Sequence, residues 1–119
     1  SSRFAATVDS PAGMIVAAGH RLAAEAARPL LFGARVTAYI RPEHVRLDRP
    51  EAAPPGALPV RVTGVEFLGA ICRLALEAGP LRLLAAAPPD AFAALGAAPE
   101  ALLAATLPAD RLMVFPEDV

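Results

Sequence analysis

The sequence predicts a mainly β protein, a small barrel or sandwich of short antiparallel strands with one short helix. Three observations carry this reading. Apolar and polar residues alternate over short stretches along much of the chain. Gly or Pro separates most of these stretches, giving about eight or nine strands at regular spacing. Only one segment, Pro88 to Gly96, has the punctuation of a helix instead.

Phe4 to Val8 opens the series as a strand. Ser10-Pro11-Ala12-Gly13 turns the chain, Pro fixing φ and Gly closing the reversal. Met14 to Ala17 is the return strand. Gly19-His20 suits a two-residue hairpin turn into a third strand over Leu22 to Ala26, which Arg28-Pro29 ends.

Ala34 to Ile40 alternates cleanly. Val36, Ala38 and Ile40 share one face, and Arg35, Thr37 and Tyr39 the other, which is the period of a half-buried strand. Arg41-Pro42 stops it, since Pro donates no ladder hydrogen bond. Val45 and Leu47 continue a short extended piece, and the Pro-rich stretch from Asp48 to Pro59 reads as loop.

Val60 to Leu68 carries the strongest strand signal. Val60 and Val62 share a face, but beyond Gly64 the apolar positions become Val65 and Phe67, one step out of phase. A phase change at Gly predicts a bulge. Gly69 then permits a tight reversal. The next strand puts Cys72, Leu74 and Leu76 on one face and Arg73 and Glu77 on the other. Gly79-Pro80 turns the chain into Leu81 to Ala86, with Arg82 outward. Pro88-Pro89-Asp90 starts the short helix, Ala91 to Leu95 forms it and Gly96 ends it. Leu102 to Leu107 and Leu112 to Phe115 read as two closing strands around Pro108-Ala109-Asp110.

Composition then narrows the function. The 119 residues suit one domain spanning 1–119, and 55% hydrophobic content is enough for a core without staples. One Cys excludes an internal disulfide. A net charge of −1 with 5% aromatic residues gives neither the basic groove nor the stacking platform of a nucleic-acid binder. No apolar run approaches the roughly 20 residues of a membrane-spanning helix. The opening Ser1-Ser2-Arg3 reads as a cut fragment, with residues 1–2 vector-derived.

All 11 basic residues other than His are Arg. Without Lys there is no P-loop lysine and no lysine Schiff base, so whatever a parent subunit does with ATP, this chain is expected not to do it. Cys72 falls on an apolar strand face, where a thiol acts as a small hydrophobe. His20 reads as a turn residue and His44 as a surface residue. With Cys72 they make no zinc spacing, and Asp110, Glu117 and Asp118 read as a solvated end rather than a metal site. Catalytic residues, metal ligands and cofactors are therefore all expected to be absent.

Two stretches carry a family resemblance. In Ala38-Tyr39-Ile40-Arg41-Pro42-Glu43-His44-Val45-Arg46-Leu47, a strand runs into Arg-Pro-Glu with an apolar residue two positions on. In Val60-Arg61-Val62-Thr63-Gly64-Val65-Glu66-Phe67-Leu68-Gly69, a strand ends in Phe-Leu-Gly. In this order the pair resembles the C-terminal TOBE (transport-associated OB-like) domain of bacterial ABC importer ATP-binding subunits. The resemblance implies an OB-like β-barrel that is a non-catalytic accessory or regulatory domain, attached to a parent subunit that is itself an ATPase. It implies contact with a counterpart in a homodimer, with the parent ATPase domain and with membrane permease subunits. It also implies a cytoplasmic place, peripheral to the inner membrane through the transporter. Related domains of molybdate type bind small oxyanions, so a sensor of an oxyanion or of the transported solute is the alternative. The solute itself is left open.

The motif residues Arg41, Pro42, Glu43, Phe67, Leu68 and Gly69 are the candidate ligand or partner residues. The structural reading is the preferred one: Arg41 and Glu43 as a pair at a strand end, Pro42 fixing the exit, Phe67 in the core, and Gly69 serving backbone geometry.

Overall fold

Alternation becomes ten strands in the computed structural model of the chain, which describes residues 2–10 and 12–117. They are β1 (Ser2–Ser10), β2 (Met14–Ala17), β3 (His20–Ala23), β4 (Arg35–Ile40), β5 (Arg46–Asp48), β6 (Leu58–Leu68), β7 (Ile71–Ala78), β8 (Leu81–Ala87), β9 (Leu102–Thr106) and β10 (Met113–Pro116). One short helix, α1 (Pro89–Ala93), follows β8. The strands form two five-stranded sheets, ordered β10-β4-β1-β2-β3 and β5-β9-β6-β7-β8, and every pairing is antiparallel. The architecture is the expected OB-like, barrel-like β fold.

Local punctuation works much as the residues dictate. Gly13 has φ +83° and accepts the Ala24 N–H at 2.7 Å, pinning the end of β3 to the first turn. Pro11, expected within that turn, lies outside the described residues. The β2–β3 reversal sits one residue earlier than expected: Ala18 (φ +50°) and Gly19 (φ +81°) are its centre, and His20 opens β3 opposite Ala17. Two successive positive φ angles match the twist of flanking strands. The third strand is correspondingly shorter than Leu22 to Ala26, because Glu25–Ala27 tightens into a 3-10 turn that buries Ala27.

The bulge in β6 is present. Val62 pairs with Leu76 and Gly64 with Ala75, leaving Thr63 as the extra residue. Its hydroxyl donates to the Ala75 carbonyl at 3.2 Å. The inserted residue puts Val65 opposite Leu74 and Phe67 opposite Cys72, in phase with the core-facing side of β7.

One buried cluster draws on both sheets. Ile15 and Ile40 come from the first sheet, Leu74 and Leu76 from the second, and Leu112 from just before β10, all essentially inaccessible to solvent. Phe92 of α1 joins the same cluster, and Cys72 is buried in it as a free thiol. The two closing strands do not close on each other. β9 lies between β5 and β6, whereas β10 returns to the first sheet beside β4. Ser2 pairs with Ile40, is buried, and its Oγ accepts the Leu84 N–H of β8 at 2.7 Å. No helix among the described residues is long and apolar enough to cross a membrane.

Candidate functional site

The Arg-Pro-Glu motif is the corner where the chain leaves one sheet for the other. β4 belongs to the first sheet and β5 to the second, and the 3-10 turn Pro42–His44 joins them. Pro42 stands at the first helical position, where its missing N–H costs nothing. Arg41 precedes it with φ −77° and ψ 144°, the extended conformation that a following Pro imposes. The turn closes through His44 N–H to Arg41 O at 3.0 Å and Val45 N–H to Pro42 O at 3.3 Å, and buries Val45. The Arg41 and Glu43 side chains approach to only 4.0 Å and are both more than half exposed. Such a pair contributes between nothing and about 1 kcal/mol.

Phe-Leu-Gly forms the end of the β6–β7 hairpin. Gly69 has φ +73° and Leu68 pairs with Ile71, so the glycine meets the reversal it was expected to serve. Phe67 departs from its expected core place: it is 70% exposed, with Leu68 at 51% and Ile71 at 41%. Phe67 pairs with the buried Cys72, but Cys72 lies between β6 and β8, whereas the pairing of β6 with β9 stops at Arg61 and leaves Phe67 on an open edge. His44 is half-buried in its turn, and Glu117 is outside any strand, its N–H bonded to Arg35 O at 3.0 Å. Asp118 lies outside the described residues.

Sequence reasoning missed a pocket of about 360 Å³ where the start of β1 meets β7 and β8. Ser2, Arg3, Thr63, Glu77 and Arg82 supply its polar lining. Neither Arg3 nor Arg82 has a carboxylate within 4.0 Å among the described residues, so two guanidinium groups are free to receive an anion. Glu77 is the cross-strand partner of both Arg61 and Arg82 and forms an ion pair with Arg61 alone. Its Oε2 accepts from Arg61 Nη2 at 3.0 Å. The outward phase of Arg82 was legible in β8, but its proximity to β1 was not, because 79 positions (82 − 3) separate Arg82 from Arg3.

A wider groove of about 510 Å³ runs along the outer face of β6 and β9, lined by Pro50, Ala53, Ala57, Pro59, Leu102 and Ala104, with the Arg61–Glu77 pair at one end. Its charges are spent on each other.

The model of the TOBE domain matches residues 38–115, a span that includes both the Arg-Pro-Glu corner and the Phe-Leu-Gly tip. The chain belongs to the TOBE domain family. It is accordingly a non-catalytic domain. No relative is found among curated proteins. Among solved structures, this TOBE domain is similar to the cytoplasmic molybdate-binding protein ModG, in a form with molybdate bound and described as binding cooperatively. The TM-score is 0.83 at 22% identity, over 97% of this chain and 95% of that one. At that identity the likeness establishes the shared fold.

Proposed function

We propose that this TOBE domain is an accessory, regulatory domain of the ATP-binding subunit of a bacterial ABC importer and that it acts by docking. In this reading it is cytoplasmic and held at the inner membrane through the transporter, beside its own ATPase domain and the permease subunits, with a second copy of itself as its partner. The observation that carries the reading is the apolar hairpin end, where Phe67, Leu68 and Ile71 stand exposed together. Fully burying side chains of this type stabilises an interface by roughly 1.5–3 kcal/mol each. Association costs at least about 4 kcal/mol in lost freedom. The tip alone therefore supports a weak contact, which the local concentration set by a tethered ATPase domain strengthens.

Light scattering over a concentration series tests this directly. Mass should rise above 12.2 kDa toward the dimer as concentration approaches the order of 1 mM, the regime of contacts worth about 4 kcal/mol. The double substitution F67S/L68S should hold the chain monomeric throughout. A wild-type chain that stays monomeric, or a double variant that associates equally well, removes the tip from the interface. ATP hydrolysis by the purified chain would overturn the non-catalytic role.

A second reading, an oxyanion sensor, is favoured by the unpaired Arg3 and Arg82 on one pocket and by the fold shared with a molybdate-binding protein. Calorimetry with molybdate, tungstate, sulfate and phosphate should give saturable heat for at least one anion. Arg3→Ala and Arg82→Ala should each weaken that binding by roughly ten- to a hundredfold, as expected for a lost charge-assisted hydrogen bond. A flat titration with all four anions ends this reading.

A further inference from the structure

Glu77 has two arginines within its choice of partner and takes the one farther from the pocket. It stands directly across from Arg82 in the β7–β8 register and directly across from Arg61 in the β6–β7 register. Residues so placed have Cβ atoms about 5 Å apart, an ordinary distance for a cross-strand ion pair. Of these two equivalently placed neighbours Glu77 binds Arg61, at 3.0 Å, and Arg82 has no carboxylate partner among the described residues.

Arg61 is itself held from its far side. Its Nη1 lies 2.9 and 3.0 Å from the two carboxylate oxygens of Glu100. Glu100 occupies the left-handed region, φ +76°, which a side-chain-bearing residue seldom enters. Its N–H donates to Val62 O at 2.8 Å, and Val62 N–H donates to Ala101 O at 2.9 Å, so the strained backbone is locked to β6 one residue from Arg61. A strained residue held in place by its surroundings is a common mark of functional geometry.

We infer that Arg61, braced by Glu100, is a positioning residue that draws the Glu77 carboxylate away from Arg82 and so keeps Arg82 free to bind an anion in the pocket it shares with Arg3. The inference rests on the oxyanion reading for its consequence, but its first step, the choice of partner by Glu77, is independent of any ligand. Without Arg61, Glu77 turns to its other cross-strand neighbour and neutralises Arg82. Arg61 lines the outer groove rather than this pocket, so it acts on the anion through Glu77.

The test uses the wild-type chain, R61Q, E77Q and the double variant R61Q/E77Q, each first confirmed to be folded by its thermal melt. The Arg82 Nε–Hε resonance is assigned by comparison with Arg82→Gln and followed by NMR. In R61Q it should shift and its solvent exchange slow, and in R61Q/E77Q it should return to the wild-type position. Molybdate affinity should fall about tenfold in R61Q and recover to within about threefold in the double variant, while E77Q alone changes it by less than about threefold, the inequality that marks coupled residues. A merely structural role for Arg61 predicts no recovery in the double variant. Simple loss of distant charge predicts an equal effect of E77Q with and without Arg61. Either result overturns the inference. An Arg82 resonance that does not move in R61Q overturns it whether or not molybdate binds. A resonance that moves in a chain with no molybdate binding sets aside the oxyanion reading and leaves the partner choice of Glu77 standing.

Discussion

Leu74→Ala should lower the stability of the domain by about 2–5 kcal/mol, the range for removing a buried leucine side chain. Leu74 has no solvent exposure and lies on β7 between Val65 of β6 and Ala85 of β8. The neighbours are fixed to strands that are hydrogen-bonded on both sides of it, so the cavity collapses little. Against a typical total of about 5–15 kcal/mol, such a loss is a large fraction of the whole. Thermal melts should show a decrease on the order of 10 °C or more. Phe67→Ala is the informative control. It removes a larger side chain, yet Phe67 is 70% exposed, and the cost should stay within about 0.5 kcal/mol. If Phe67→Ala costs as much as Leu74→Ala, the hairpin end is packed against the core and its availability for docking is lost.

Gly13→Ala should destabilise by roughly 2–4 kcal/mol through two additive mechanisms. The first is backbone strain, because φ is +83°. The second is contact: a Cβ at this position would stand 2.9 Å from the Ala24 carbonyl oxygen and 2.9 Å from Arg28 Cγ. The arginine can move, but the carbonyl belongs to a segment tied to Gly13 itself by the Ala24 N–H to Gly13 O hydrogen bond. Gly19→Ala separates the two mechanisms. Gly19 has φ +81°, almost the same strain, but nothing lies within 4 Å of its added Cβ. Its cost should be about 1–2 kcal/mol, from strain alone. Denaturant melts of the two variants measure the difference, and equal midpoints would show that the Ala24 contact relaxes at no cost.

The expected elements were largely correct where the cause was local. β2 and β4 follow directly from alternation, and the bulge in β6 follows from a phase change at Gly64. Errors of a residue or so came where two turn geometries compete for the same glycine, as at Gly19, where Ala18 rather than His20 shares the reversal. The motif residues were legible as motifs, and the match to the TOBE domain spans both of them. The exposure of Phe67 was not legible. Alternation reports which side of a strand faces inward, and Phe67 is on that side. It does not report that the pairing of β6 with β9 stops at Arg61 and leaves the far half of β6 with an open edge.

The pocket with Arg3 and Arg82 marks the same boundary more sharply. By itself, the sequence determined the class of fold, most strand positions, the turns at Gly13 and Gly69, and the absence of lysine chemistry, because each depends on a few adjacent residues and their backbone preferences. Only the tertiary structure decided that β9 and β10 part into different sheets, that Ser2 reaches Leu84, and that Glu77 prefers Arg61 to Arg82. The physical reason is that strand pairing and ion pairing are choices among partners distant in the chain, each locally equivalent. What breaks the equivalence is the simultaneous burial of Ile15, Ile40, Leu74, Leu76 and Leu112 in one core, a condition satisfied by the whole chain rather than by any stretch of it.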